Sequence, residues 1–236
     1  MPEILTGIIV NTDPNSPTAE AIRCLRTNIL FLNIGKEAKV IELTSPAPQE
    51  GKSFLIANLA VATAQSNKKT MLIDCDLRRI GLSRVFRLSG KEPGLSSVLI
   101  KGKTSLKELP FYDLGIENLS FLPSGPPPPN PAELLERDIM NEVLAIGREN
   151  FDIIYIDVPP ILSVTDPIIV SKKVDSVILV VMADTTQQKA LSRSYSLLKE
   201  ANVNILGTVL NKVDAGVGGY YRYRYRYKYY YYSSAK

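Results

Sequence analysis

The chain has 236 residues, 45% of them apolar, which is enough for one large domain or two small ones around a sizeable core. It contains no histidine, so catalytic triads and metal sites that use imidazole are excluded. Its two cysteines, Cys24 and Cys75, lie far apart without CxxC spacing, which indicates a reducing compartment and no disulfide framework.

The positive charge of the chain is concentrated at its C-terminus. Five of the 28 basic residues and no acid lie between Tyr220 and Lys236, which leaves 23 basic against 24 acidic residues elsewhere. A nearly neutral body argues against a domain that wraps nucleic acid. No apolar run approaches the roughly 18 residues of a transmembrane helix, and no signal-peptide pattern is present. We therefore expect any membrane association to depend on another chain or on a fused segment.

Short apolar runs alternate with amphipathic stretches from residue 39 to residue 211. The runs are rich in Ile, Val and Leu without clean alternation, which is typical of strands buried on both faces. This order predicts an α/β fold with an open, mostly parallel sheet flanked by helices. The predicted strands are Val40–Thr44, Thr70–Asp74, Leu119–Leu122, Ile153–Asp157, Ser176–Met182 and Ile205–Asn211. The predicted helices are 17–33, Ser53–Gln65, Pro131–Glu149, Pro167–Lys173 and Gln187–Ala201.

A phosphate-binding loop is predicted between the first strand and the helix after it. The segment TSPAPQEGKSF ends like a P-loop, although Pro46 stands where the first glycine is usual. Glycine lets the backbone approach a phosphate closely, and the N–H groups at the N-terminus of the helix bind the anion. Lysine reaches the β- and γ-phosphates, and the serine hydroxyl can ligate Mg²⁺. The alternative is an ordinary turn with a solvated lysine. The predicted nucleotide-binding residues of the loop are Pro48, Gln49, Glu50, Gly51, Lys52, Ser53 and Phe54.

Carboxylates follow two other predicted strands. MLIDCDLRR places Asp74 and Asp76 at the end of one strand, and IIYIDVPP places Asp157 at the end of another. Because ligands of open parallel sheets bind outside the carboxyl ends of the strands, all three should face the phosphates. Asp157 has the position of a Walker B acid, a partner of Mg²⁺. If the strand persists, we expect Asp74 and Asp76 to point to opposite sides and to have different roles; the alternative for either one is a turn former at the end of the strand.

The last predicted strand is followed by Asn211-Lys212-Val213-Asp214, which is similar to the NKxD motif that reads a guanine base. In a sheet of this class the position lies near the nucleotide base, so Asn211 is a further candidate for nucleotide binding. The alternative is a polar loop after a strand.

The C-terminal segment YYRYRYRYKYYYYSSAK holds nine of the twelve tyrosines. Its interleaved cations cannot enter a core, so we predict a flexible, solvated tail over 218–236 behind a domain that covers 1–217. A phenol can accept phosphate, which adds roughly −1.5 to −2 charges per site; the competing use is stacking on nucleic-acid bases. The candidate phosphoacceptors are Tyr220, Tyr221, Tyr223, Tyr225, Tyr227, Tyr229, Tyr230, Tyr231 and Tyr232.

Together these features resemble the bacterial tyrosine kinases, P-loop proteins that control capsule and exopolysaccharide synthesis. TSPAPQEGKS resembles the Walker A motif of that family, LIDCDLRR its second, Walker A′ motif, and IIYIDVPP its Walker B motif. The tyrosine cluster is the fourth feature, and the resemblance spans nearly all of residues 14–236. It implies a P-loop NTPase fold of the deviant Walker type that partitioning ATPases share.

The resemblance implies an ATP- and Mg²⁺-dependent autokinase that transfers the γ-phosphoryl group to tail tyrosines of neighbouring subunits. By motif match, Lys52 and Ser53 hold phosphate and Mg²⁺. Ser53, Asp76 and Asp157 serve the metal, and Asp74 orients or deprotonates the phenol. A phenol with a pKa of about 10 is a poor nucleophile at neutral pH, and without histidine a carboxylate is the natural base. The predicted catalytic residues are Lys52, Asp74, Asp76 and Asp157.

An ExxRxxR motif that the family uses in assembly matches Glu20, Arg23 and Arg26. These three centre roughly 140° from the apolar stripe of their helix, so we expect them to face outward and to contact another subunit. The resemblance further implies a ring-shaped homo-oligomer, a cognate tyrosine phosphatase, and a transmembrane activator or chain-length-determinant protein or a fused membrane domain. It implies a place at the cytoplasmic face of the bacterial inner membrane and no nucleic-acid partner.

The chain departs from the family pattern at two positions of the loop. Gln49 stands where many members have glycine, which is expected to change the backbone freedom of the loop, and Phe54 stands where Thr or Ser is frequent. The main alternative is a partitioning-type ATPase without kinase activity, but those proteins usually carry an extra lysine at the position of Ala47. A nucleic-acid-binding module that uses the tail is the second alternative, which the nearly neutral body disfavours.

Overall fold

A computed structural model describes residues 7–32 and 38–213 of the chain. Its strands are β1 (Val40–Thr44), β2 (Thr70–Asp74), β3 (Leu119–Leu122), β4 (Ile153–Asp157), β5 (Ser176–Met182) and β6 (Ile205–Asn211). They form one sheet in the order β3-β2-β4-β1-β5-β6, and every neighbouring pair is parallel. The predicted strands and the open parallel α/β fold are confirmed.

The described helices are α1 (Ile9–Thr12), α2 (Pro17–Leu32), α3 (Lys52–Ala64), α4 (Gly81–Val85), α5 (Leu95–Lys101), α6 (Pro131–Glu136), α7 (Asp138–Asn150), α8 (Asp166–Ser171) and α9 (Gln188–Glu200). A single helix over Pro131–Glu149 was wrong, because Arg137 leaves the helical region with ψ 151°. Its guanidinium instead donates a hydrogen bond to the Leu99 carbonyl. The short helices α1, α4 and α5 had no periodic pattern long enough to predict them.

Helices cover both faces of the sheet. On one face, Ile41 and Leu43 of β1 share a core with α2 and α3. On the other face, Val40 of β1 and Ile154 of β4 pack with α5, α6 and α7. Most of α3 is buried, because small residues such as those of its ANLAVATA segment let α2 and the sheet approach closely. The N-terminus of α3 is therefore held firmly next to the carboxyl end of β1.

The order of the strands brings the predicted motifs together. In the parallel register, Leu43 of β1 is paired with Asp157 of β4, and Asp157 is paired in turn with Asp74 of β2. The chain leaves β1 toward β2 on one side and reaches β5 on the other, which makes the carboxyl end of β1 a topological switch point. The P-loop and the acids thus share one crevice.

Helix α2 corrects one prediction about its charged face. Arg26 does not point outward, because its Nη1 donates to the Ala62 carbonyl at 2.9 Å, in the last turn of α3. Arg26 lies only about 80° from the centre of the apolar stripe, so its long side chain can reach across to this carbonyl. Arg23 pairs with Glu20 at 3.3 Å and also donates to the Pro14 carbonyl.

Candidate active site

The P-loop runs from the end of β1 to Lys52, the first residue of α3. Gly51 has φ 85°, a conformation that favours glycine, and a Cβ there would lie 2.1 Å from Asn211 Nδ2 and would displace that side-chain amide. Gln49 has φ 67° and therefore occupies the left-handed region that glycine occupies at low cost. Glutamine replaces the glycine that many family members have at this position, but the loop keeps the backbone conformation that glycine favours. The left-handed conformation costs a non-glycine residue about 1–2 kcal/mol. Pro48, Gln49 and Phe54 are exposed around the loop.

Side chains from the ends of β5 and β6 hold the loop in place. The buried Glu50 carboxylate accepts hydrogen bonds from the Ala47 N–H and the Thr186 hydroxyl. Asn211 Nδ2 donates to the Glu50 carbonyl at 2.8 Å, and Lys212 Nζ donates to the Gln49 carbonyl at 3.2 Å. The structure thus places Asn211 against the P-loop backbone. The last residue of the NKxD-like sequence, Asp214, lies outside the described residues.

Lys52, Ser53 and Asp157 form the centre of the site. Lys52 Nζ lies 2.6 Å from Asp157 Oδ1, and the Ser53 hydroxyl donates to Asp157 Oδ2 at 2.7 Å. Asp157 is completely buried, and 7% of Lys52 is exposed. The phosphate-binding lysine and the Walker B-like acid therefore satisfy each other, and any phosphate or metal that binds here must replace part of this pairing.

The prediction that Asp74 and Asp76 point to opposite sides assumed a strand that persists past Asp74, but β2 ends at Asp74. Both acids interact electrostatically with Lys52 and Asp157. Residues two apart along a strand share a face. The strand ends at Asp74, whose Oδ1 accepts the Asp76 N–H at 3.1 Å. Asp76 Oδ1 in turn accepts the N–H groups of Arg78 and Arg79. Asp74 Oδ2 is buried and has no hydrogen-bond partner among the described residues.

Burial and mutual repulsion determine the electrostatics of these acids. Burial, with smaller contributions from Asp157 and Asp76, raises the pKa of Asp74 well above its usual value. Burial also raises the pKa of Asp76, and the charge of Lys52 offsets part of this rise. A carboxylate with a raised pKa is a stronger base when it is ionised, and an unpaired oxygen can accept a further proton.

Sequence reasoning missed several residues that shape the site. Gly81, at the start of α4, lies beside it: a Cβ there would come within 3.1 Å of Ser53 Oγ. Arg78 forms a bidentate ion pair with the buried Asp166, with N–O distances of 2.8 and 2.9 Å, and this pair connects the loop after β2 to α8. Thr186 was also missed. Gly81 and Thr186 belong to no local pattern that marks them. Arg78 lies within the LIDCDLRR segment, but its partner Asp166 is 88 residues away and could not be read from that motif.

The residues present fit a nucleotide and Mg²⁺. Gly81 lies so close to Ser53 and Asp157 that a Cβ there would come within 3.1 Å of Ser53 Oγ, and Asp74 Oδ2 is buried without a hydrogen-bond partner among the described residues. Within 7–32 and 38–213, no group of three or more acidic or cysteine side chains is arranged as a metal cluster. Mg²⁺ in phosphoryl-transfer sites commonly takes only one or two carboxylates, with water and phosphate as its other ligands. Ser53, Asp76 and Asp157 could supply such a set.

The comparisons with known proteins identify the family. A family model described as AAA domain matches residues 38–205. Tyrosine-protein kinase YwqD of Bacillus subtilis is 37% identical over 87% of this chain and 85% of its own length. Putative tyrosine-protein kinase CapB of Staphylococcus aureus is 36% identical over 92% of this chain and 95% of its own length. The chain belongs to the bacterial tyrosine kinase family.

Solved structures agree with this assignment. The kinase domain of Escherichia coli tyrosine kinase ETK superposes with a TM-score of 0.82 at 34% identity, over 90% of this chain and 83% of that one. The septum site-determining protein MinD of Pyrococcus horikoshii, a complex with Mg-ADP, has a TM-score of 0.61 at 25% identity. It covers 73% of this chain and 69% of its own. The partitioning-type fold is thus shared, but the bacterial tyrosine kinases are the closer match, and the fold is that of a nucleotide-binding P-loop protein.

Two observations concern the membrane. None of the helices in the described part of the chain is long and apolar enough to cross a bilayer. Tyrosine-protein kinase etk of E. coli is 36% identical over 85% of this chain, but the match covers only 27% of that protein. The larger relative therefore has extensive regions with no counterpart in this chain.

Proposed function

We propose that this chain is an ATP-dependent protein-tyrosine autokinase that transfers the γ-phosphoryl group to tail tyrosines of neighbouring subunits. One observation carries the proposal: Lys52, Ser53 and Asp157 are in mutual contact, with Asp74 beside them offering an unpaired carboxylate oxygen. This arrangement provides phosphate binding, metal binding and a base in a single crevice. Membership of the bacterial tyrosine kinase family supports the choice of a phenol as the acceptor.

The P-loop binds the phosphates of ATP in this proposal. The N–H groups at the start of α3 and the residues Pro48, Gln49, Glu50, Gly51 and Phe54 surround the phosphates, and Lys52 turns from Asp157 to the β- and γ-phosphates. Mg²⁺, when bound, neutralises charge on the phosphates. Ser53, Asp76 and Asp157 are the residues that would hold it, some of them through water. Asn211 remains a candidate for the nucleotide side of the site because it lies against the P-loop.

Asp74 acts on the incoming tyrosine. The phenol oxygen forms a bond to the γ-phosphorus while the bond from that phosphorus to the β-phosphate oxygen breaks, and the phenol proton passes to Asp74. Burial supports this role, because it raises the pKa of Asp74 toward that of the phenol. Asp74 reaches its ionised form more readily when Lys52 and the metal are close, since opposite charge favours the carboxylate.

The substrates are the nine tyrosines Tyr220, Tyr221, Tyr223, Tyr225, Tyr227, Tyr229, Tyr230, Tyr231 and Tyr232, which lie outside the described residues. So does the boundary proposed after residue 217 between the kinase domain and the tail. We propose a ring-shaped assembly that brings each tail to the next active site. Glu20 and Arg23, which pair on the surface of α2, are the better candidates for the contact, because Arg26 is engaged with α3.

The proposed setting is the cytoplasmic face of the bacterial inner membrane, where the kinase regulates capsule or exopolysaccharide synthesis or export. A transmembrane activator or chain-length-determinant protein, or a fused membrane domain, would hold it there, and a cognate phosphatase would reverse the modification. Tyrosine-protein kinase etk, of which this chain spans only 27%, is long enough to hold a fused domain of this kind. The nearly neutral body gives no support to a nucleic-acid partner.

Intact mass spectrometry after incubation with ATP and Mg²⁺ tests the proposal. We expect additions of about 80 Da each, the mass of a transferred phosphoryl group, confined to peptides of 220–236. A Lys52→Met variant should show none, and a variant with all nine tail tyrosines changed to phenylalanine should bind ATP normally but gain no mass. ATP hydrolysis with unmodified tyrosines would instead support the partitioning-type ATPase.

A further inference from the structure

β6 is an open edge of the sheet. Among the described residues it pairs on one side only, with β5. The opposite edge is different, because Tyr112 forms an antiparallel bridge to Phe121 of β3 and so covers part of that strand. In the part of the chain that the structure describes, one edge of the sheet is therefore partly covered and the β6 edge is not.

β6 also lacks the side chains that usually protect an open edge. Its sequence, ILGTVLN, has no proline and no charge, and the register with β5 shifts only near its start. Gly207 and Thr208 are exposed and Leu210 is 49% exposed, whereas the other five strands are almost entirely buried. An edge of this length with apolar side chains tends to pair with another strand.

The free hydrogen-bonding groups of the edge can be assigned to residues. The Asn211 carbonyl accepts the Ala183 N–H at 2.9 Å, so Asn211 turns its backbone groups toward β5. In a parallel pair, alternate residues direct both of their backbone groups to the same neighbour. Thr208 and Leu210 therefore direct their N–H and carbonyl groups to the open side.

The chain itself continues from this edge into a segment with the period of a strand. Tyrosine occupies every odd position from 221 to 229, and arginine or lysine occupies every even position from 222 to 228. Tyrosine has a high strand propensity, and a period of two places all of these phenols on one face and all of these cations on the other. The aromatic face can cover apolar side chains of β6, while the cationic face stays in water.

We propose that the β6 edge is a docking site for the unphosphorylated tail of the same chain, which pairs with it as an antiparallel strand. Residues 221–227 have the seven residues that match Ile205–Asn211. The intervening residues 212–220 make the reversal, and Gly216, Gly218 and Gly219 supply the backbone freedom that a turn requires. Pairing keeps the tail away from the active site while it is bound to the edge. A tail that has transiently left the edge is the form that is phosphorylated, and phosphorylation then prevents it from pairing again.

Phosphorylation opposes this pairing. Phosphates on alternate residues of a strand lie about 7 Å apart on one face, within the screening length of about 8 Å at physiological salt. Each carries roughly −1.5 to −2 charges, so they repel one another and also require hydration. The release step depends on the proposed kinase function, whereas the pairing itself depends only on the fold.

Amide hydrogen exchange at low protein concentration tests the pairing. The phosphatase-treated full chain is compared with a chain that ends at residue 219. We expect the amides of Thr208 and Leu210 to exchange at least roughly tenfold more slowly in the full chain. Equal exchange in the two chains overturns the proposal, and so does protection that increases with protein concentration, because that result would assign the edge to a second chain.

A pair of substitutions at Thr208 sharpens the test. Thr208→Pro removes an outward N–H that β5 does not use, and proline is tolerated on edge strands. We expect it to abolish the slow exchange of residues 221–227, which the matched control Thr208→Val should retain. If Thr208→Pro fails to fold, the Leu210→Lys variant is used in its place, since a lysine on the edge repels the tail cations and hinders strand addition. Slow amide exchange of residues 221–227 that persists in the folded variant contradicts the proposal. If the edge and tail amides exchange slowly but ATP does not phosphorylate the tail tyrosines, the pairing stands, and only the release step and the proposed kinase function are contradicted.

Discussion

Replacing Glu42 by methionine should stabilise the folded chain. Glu42 lies in the central strand β1, is completely buried, and has no hydrogen-bond partner for either carboxylate oxygen among the described residues. An unsatisfied buried polar group costs about 1–3 kcal/mol. Methionine has a similar length and flexibility without the polar atoms. We therefore expect Glu42→Met to raise the free energy of unfolding by about 1–3 kcal/mol at neutral pH.

The Glu42→Gln variant separates the charge of this residue from its polarity. Burial raises the pKa of Glu42 well above its usual value, and the nearby charge of Lys52 offsets only part of this rise. A carboxyl whose pKa is higher in the folded state contributes stability that is fully present below its unfolded pKa, about 4.3, and is lost as the pH rises toward the folded value. Glutamine cannot ionise, so the Glu42→Gln variant does not lose this stability as the pH rises. The free energy of unfolding of the variant minus that of the natural chain should therefore increase from pH 5 to pH 8.

Urea denaturation at pH 5 and pH 8 measures both effects. Asp74 and Asp76, whose pKa values burial also raises, are present in every variant and so largely cancel in the difference. Glu142→Gln, on the exposed face of α7, is the matched control and should change stability by less than about 0.5 kcal/mol at either pH. An identical stability change for Glu42→Gln at the two pH values would refute the ionisation argument. A destabilised Glu42→Met would show that the carboxylate has a partner.

The remaining predictions concern α2 and the P-loop. Arg26→Ala removes the hydrogen bond to the Ala62 carbonyl and should lower the free energy of unfolding by about 1–2 kcal/mol in urea denaturation. Arg23→Ala should cost less than about 1 kcal/mol but reduce assembly in sedimentation experiments, and an unchanged oligomer would remove Arg23 from the proposed contact. Gln49→Gly should retain nucleotide affinity and change stability by no more than about 1 kcal/mol, since relief of the left-handed strain is offset by the flexibility of glycine. Gly51→Ala should lose nucleotide affinity in fluorescent-nucleotide titrations because of its φ of 85° and the contact with Asn211, and normal binding would contradict the required close approach.

Local patterns explain why most of the fold was predictable. Each strand is a short, mainly apolar run bounded by polar residues or turns, so its limits can be read within a window of a few residues. The same is true of the P-loop and of the acids that end β2 and β4. The predicted helix Pro131–Glu149 is interrupted at Arg137. The Arg137 guanidinium donates a hydrogen bond to the Leu99 carbonyl, more than thirty residues away in the chain, so a local pattern does not reveal the break. The direction of Arg26 was missed for the same reason.

The amino-acid sequence alone determined the α/β class, the position of the phosphate loop, the acids of the site and the membership of the kinase family, because each of these depends on residues that are neighbours in the chain. Which groups meet depends on the three-dimensional arrangement of the strands: Asp157 contacts Lys52, Asn211 contacts the loop backbone, and Glu50 contacts Thr186. Within residues 7–32 and 38–213, this arrangement also left Glu42 and one oxygen of Asp74 buried without hydrogen-bond partners and β6 unpaired on one side. Burial and pairing depend on how distant strands are ordered in the sheet, and no local pattern encodes that order.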